Sequence, residues 1–166
     1  MTEPKVTIKN LKSFRGMEGY GFNADIYVNG VKTMFAMDSA NGGQFDYEVV
    51  KGQESNVQLI KDYVKSISKR GDDSDIELDM YIATKVDEYE NAKRKAKNEN
   101  KMAKLMAEAI VFGVPDANNY RCFNFKKPLS TIPAIILQAH VDKAKKVMTE
   151  GEVFYNKNLV QLGVKL

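Results

Sequence analysis

Hydrophobic and polar residues alternate on both sides of Asn29-Gly30, a dipeptide suited to the two positive φ angles of a type I′ turn, and this predicts a β-hairpin. Pairing Val28 with Val31 sets Ile26 opposite Thr33, Ala24 opposite Phe35 and Phe22 opposite Met37. One face then carries Phe22, Ala24, Ile26, Val28, Val31, Phe35 and Met37 and is the expected core face. The other carries Asn23, Asp25, Tyr27, Lys32 and Asp38, interrupted by Met34 and Ala36. Val6 and Ile8, alternating with Lys5, Thr7 and Lys9, predict an earlier strand that Gly16, Gly19 and Gly21 set off from the hairpin. Asn41-Gly42-Gly43 predicts a turn into a fourth strand through Phe45, Tyr47 and Val49. The expected front third is a four-stranded antiparallel meander.

The period changes after residue 54. Ser55 and Gln58 have capping-box spacing, and Val57, Ile60, Val64 and Ile67 share one helical face before Gly71 stops the helix. Ser74 with Glu77 predicts a second start, followed by the stripe Leu78, Tyr81, Ile82, Val86 and Tyr89. Helical spacing resumes at Met102, Leu105, Met106 and Ala109, but one rod from Asp75 to Ile110 would be about 54 Å long, so a break is expected at Asn98-Glu99-Asn100. Tyr120 to Lys127 reads as a strand or extended edge ending at Pro128. Pro133 then opens a last helix with Ile136, Leu137, Val141, Ala144 and Met148 inward and Gly151 at its end. Val153-Phe154-Tyr155 predicts a short strand, and Leu159 with Leu162 a terminal turn that packs down. The fold class is therefore α+β, an N-terminal β-meander followed by three to four helices and a short C-terminal strand, in a single domain of residues 1–166.

Composition sharpens this picture in a few places. The 166 residues are 43% hydrophobic and 28% charged, which suits a globular chain with a real core. Cys122 is the single cysteine, so no disulfide forms within the chain and a reducing, cytoplasmic location is expected. The N-terminus lacks the apolar core of a signal peptide, and no apolar run reaches the roughly 20 residues that span a bilayer, so neither export nor a membrane partner is expected. A net charge of +3 is too small to imply nucleic-acid binding by itself, but charge is segregated. Asp72, Asp73, Asp75, Glu77, Asp79, Asp87, Glu88 and Glu90 precede Lys93, Arg94, Lys95, Lys97, Lys101 and Lys104. Two copies could pair these segments antiparallel into a homo-oligomer with the Leu78 to Tyr89 stripe between them; the competing reading packs that stripe on the chain's own sheet.

Catalytic chemistry has little to work with. His140 is the only histidine, borders the apolar face of the last helix and reads as structural; Cys122 reads as a buried, inert thiol. No phosphate-binding Gly-rich fingerprint occurs, since Gly16, Gly19 and Gly21 have the reversed spacing and precede a strand. Pro115-Asp116 matches only the first half of a metal-dependent nuclease motif. The acidic run lacks the later ligands of a calcium loop and reads as helix-start charge. No cofactor, metal site or catalytic residue is assigned.

Recognition chemistry is better represented. Arg15, Tyr20, Asn41, Gly42, Gly43, Tyr120, Arg121 and Lys126 lie at predicted turns and strand ends, with Gln44 and Lys127 beside them. They combine accessible backbone amides, aromatic faces and cations, the parts that hold a nucleotide or other anionic small molecule. The run Phe14-Arg15-Gly16-Met17-Glu18-Gly19-Tyr20-Gly21-Phe22-Asn23-Ala24, with Ile26-Tyr27-Val28-Asn29-Gly30 and Asn41-Gly42-Gly43, resembles small uncharacterised proteins of bacteriophages and mobile elements. That resemblance implies host-takeover or anti-defence roles, in which a small protein binds a host protein or sequesters a signalling nucleotide, in the host cytoplasm for a phage-encoded chain. The reading is a non-enzymatic binding protein. Its alternatives are a nucleic-acid-associated accessory protein using Lys93 to Lys104, and an enzyme relying on carboxylates and lysines.

Overall fold

The computed structural model describes residues 2–68, 74–115 and 119–166, and of Ser74 and Asp75 the backbone alone. Gly71, Asp72, Asp73 and Asp116, with the helix stop and the motif assigned to them, lie outside the described residues, as does the side chain of Ser74. The chain clusters into two compact units, Met1–Lys93 and Arg94–Leu166.

In the first unit β1 (Val6–Arg15), β2 (Tyr20–Val28), β3 (Val31–Asp38) and β4 (Asp46–Val49) form an antiparallel sheet in sequential order, the expected meander. Asn29 and Gly30 take φ of 51° and 87°, as a type I′ turn demands, and Val28 faces Val31. Two residues further on, the register departs from the simple alternation. Ile26 pairs with Met34 rather than Thr33, because a bulge inserts Thr33 between the Tyr27↔Lys32 and Ile26↔Met34 pairs. Every side chain beyond the bulge changes face: Met34 and Ala36 are fully buried, Phe35 and Met37 are half-buried on the other side, and Val31 is exposed. Thr33 itself is buried, its hydroxyl donating to Val31 O at 3.1 Å and its carbonyl accepting from Val50 N at 2.9 Å. Those two bonds satisfy the extra residue and hold the bulge.

Helix α1 (Glu54–Ile67) starts at N-cap Gln53 rather than through a Ser55 and Gln58 capping box, since the turn at Gly52, with φ of 82°, already brings Gln53 O under Asn56 N and Val57 N. Ile60 and Val64 are buried as the stripe requires, whereas Ile67 at the helix end is exposed. Helix α2 (Ser74–Glu108) runs 35 residues without the expected break. Nothing within it interrupts helix: there is no glycine or proline from residue 75 to 108, and Asn98 and Asn100 cost only a few tenths of a kcal/mol each. Leu78, Ile82 and Val86 are buried in the first unit's core with Ile8, Ile26 and Met34, and Tyr81 and Tyr89 pack against it. The stripe is therefore packed on the chain's own sheet.

In the second unit Ala109 belongs to a strand rather than to a helical repeat. β5 (Ala109–Gly113) is buried along its whole length and is the central strand between β6 (Arg121–Asn124) and β7 (Val153–Phe154). A strand covered on both faces reads as a continuous apolar run, and Ile110-Val111-Phe112 is one. Helix α3 (Ala134–Val147) buries Leu137, Val141 and Ala144, while Ile136 is exposed and Met148 is the C-cap. Leu137 and Val141 pack with Ile110, Leu129, Leu159 and Val164 as the second core, and the terminal turn does pack down.

Candidate functional site

The first unit brings five of the eight sequence-derived binding residues to one end of its sheet. Antiparallel order places the β1–β2 and β3–β4 connections side by side: Gly16 N to Gly19 O at 2.8 Å closes the first, and Glu18 N to Ala40 O at 2.9 Å joins it to the second. Ala40 N donates in turn to Asp38 Oδ1 at 2.8 Å. Gly16 is required for this approach, since a Cβ there would lie 2.6 Å from the Cβ of Ala40. Arg15 faces Tyr20 across the ribbon, and Asn41, Gly42 and Gly43 are exposed on the neighbouring connection. A Cβ on Gly42 would meet the carboxylate of Glu18, so an acidic side chain sits against this turn. A negative charge beside the turn disfavours an anion there.

What the loop chemistry did not single out is Met17. Its side chain is 93% exposed at the tip of the ribbon, next to Tyr20 at 79%, with Phe14 exposed on the opposite face of the ribbon over Gly21. The signal was visible as an apolar residue inside a glycine-rich turn, where burial is hard to arrange.

Tyr120, Arg121 and Lys126 belong to the second unit, so the eight residues are divided between the two units. Tyr120 and Lys126 are exposed. Arg121 already has structural partners: Nη2 donates to Val147 O at 2.9 Å and to the Glu152 carboxylate, and the guanidinium lies 4.9 Å from the Phe112 ring centroid. A cation on the last carbonyls of α3 is a favourable C-terminal cap. The Thr149 amide at 2.7 Å, then Arg121, hold the Glu152 carboxyl below its usual range. His140 is likewise engaged, donating from Nδ1 to Ile136 O at 2.9 Å and packing edge-on to Phe123 and Phe125. Cys122 is exposed on the edge strand, not buried, because strand alternation turns it away from the α3 side that Phe123 faces.

A groove of about 660 Å³ lies between α1 and α2, floored by Tyr63, Val64, Met80 and Tyr81. At its edge the Tyr81 hydroxyl donates to Glu3 at 3.1 Å and Lys85 pairs with Glu3 at 3.0 Å and Glu88 at 3.1 Å. Burial, then the bond to Glu3, pushes the Tyr81 hydroxyl above the tyrosine range. The hydrogen bonds from Lys85 and then Tyr81 hold Glu3 low. Burial pulls Lys85 down, but its bonds to Glu3 and Glu88 outweigh that and leave it above the lysine range. Each shift runs away from neutrality, the reverse of what an acid or base working near pH 7 needs. Asp79, from the acidic run, is a strap: its carboxylate accepts from Phe45 N at 2.9 Å and Tyr47 OH at 2.7 Å and fastens the approach to β4 onto α2. Among the described residues no group of three or more His, Cys, Asp or Glu side chains could hold a metal, and no helix is long and apolar enough to cross a membrane.

No protein family, curated protein or solved structure matches this chain.

Proposed function

We propose that the chain is a binding protein that docks a partner protein through the tip of its β1–β2 ribbon, with no catalytic step of its own. The observation that carries this is Met17, almost wholly exposed on a turn held by backbone hydrogen bonds on both sides. Met, Tyr and Arg are enriched where proteins meet, and Met17, Tyr20 and Arg15 occupy this tip together. A turn already ordered before binding loses little entropy on docking. The Glu18 carboxylate beside Gly42 supports a protein partner over a phosphate ligand at the same place. The resemblance to phage proteins makes a host protein the expected partner and inhibition of host defence the expected result.

Native mass spectrometry of the tagged chain taken directly from its own cells tests this. The expected outcome is a protein complex that Met17→Glu or Tyr20→Ala disrupts, while the melting temperature of each variant stays within a few degrees of wild type, as for exposed positions generally. A complex that survives both substitutions together would sink the proposal. So would a bound nucleotide in place of a protein, released by Arg15→Ala; that result would restore sequestration as the function.

A further inference from the structure

The second unit's share of α2 presents four of its five cations on one side. At 100° per residue, Arg94, Lys97, Lys101 and Lys104 fall within about 80° of arc and along about 15 Å of helix axis. All four are exposed. Lys95 and Glu99 lie on the far side of the helix, and Glu90 and Glu108 bound the cationic face at its two ends. The unbroken helix creates this alignment. A break at residues 98–100 would have lost the phase between Lys97 and Lys101.

We propose that this face of α2 binds the phosphate backbone of duplex nucleic acid without reading its sequence. Between residues 94 and 104 five cations stand against Glu99 alone, so the local field is far more positive than the net charge of +3 suggests. A rigid row of cations needs only a rigid row of phosphates to pair with, and such contacts position a protein without specifying bases. No aromatic residue lies within 94–104 to stack on an unpaired base, which favours a duplex over a single strand. The far side of the helix carries Ala96 and Ala103 with Lys95 and Glu99, and Met102, Leu105 and Met106 are half-buried. This inference does not depend on the ribbon tip.

Fluorescence anisotropy of the full chain with a short DNA duplex of arbitrary sequence is the test. For three to four phosphate contacts, affinity should fall about 40- to 150-fold between about 50 and 200 mM salt. Lys101→Glu should weaken binding about tenfold and reduce the salt slope by about one. Lys95→Glu makes the same change in net charge on the other side of the helix and should leave the slope unaltered. If either charge reversal perturbs the helix by circular dichroism, Lys101→Gln and Lys95→Gln serve in the same comparison. Equal losses for the Lys101 and Lys95 variants, salt-insensitive binding, or no wild-type binding at the lower salt would each overturn the proposal. Binding to phosphatidylserine vesicles without binding to the duplex would also overturn it, in favour of a membrane surface.

Discussion

Asn156→Ala should destabilise the chain by about 3 to 5 kcal/mol, the largest effect expected of any single polar substitution here. Asn156 is buried, and its side chain makes three backbone bonds where α2 gives way to β5. Its Oδ1 accepts from Val111 N at 2.7 Å, and its Nδ2 donates to Met106 O at 2.9 Å and Ala109 O at 2.8 Å. Truncation leaves those groups in an apolar interior with no partner, and each such loss costs about 1 to 3 kcal/mol. Thermal and urea melts read the result, with a fall in midpoint of about 10 °C. Asn156→Asp keeps the volume but replaces the donating Nδ2 with an acceptor facing two carbonyl oxygens, so it should fare no better. A loss below about 1 kcal/mol for the alanine variant would mean that the junction is held by something else.

Met34→Ala should cost about 2 to 5 kcal/mol, because Met34 is fully buried against Ile26 and Leu78 in the first core and truncation leaves a cavity. Phe35→Ala removes a larger side chain yet should cost less, on the order of 1 kcal/mol, since the ring is half-buried on the opposite face. The pair tests the Thr33 bulge directly. With the simple hairpin register the order would reverse, so a larger loss at Phe35 than at Met34 in denaturant melts would show that the bulge is absent.

The meander was legible because its signals are local. Asn29-Gly30 has the backbone freedom a type I′ turn needs, and period-2 alternation in β2 has one face to bury. The bulge was not legible, because Thr33 is as good a strand residue as any and its placement depends on bonds to Val31 and to Val50, the latter reached only once β4 has docked. The Leu78 to Tyr89 stripe announced itself by spacing, but spacing cannot say whose surface covers it. β5 was hidden for a related reason: a five-residue apolar run directly after a helix fits either period, and only pairing to β6 and β7 on both sides makes it a strand.

The candidate site divides along the same line. Arg15, Tyr20 and Asn41-Gly42-Gly43 could be listed from turn chemistry, and antiparallel order was enough to bring them to one end of a sheet. Met17, an apolar residue in a glycine-rich turn, became notable through its exposure, and Arg121 ceased to be a free cation only once α3 placed Val147 O beside it. By itself the chain's pattern determined the fold class, the meander, the positions of α1 and α3 and the segregation of charge, because turn stereochemistry and amphipathic period act over a few residues. Tertiary structure alone decided the strand faces beyond the bulge, the three-bond anchorage of Asn156 and the company each binding residue keeps. Those outcomes rest on contacts between segments distant in the chain, such as Val50 to Thr33 and Asn156 to Val111, and no local preference encodes them.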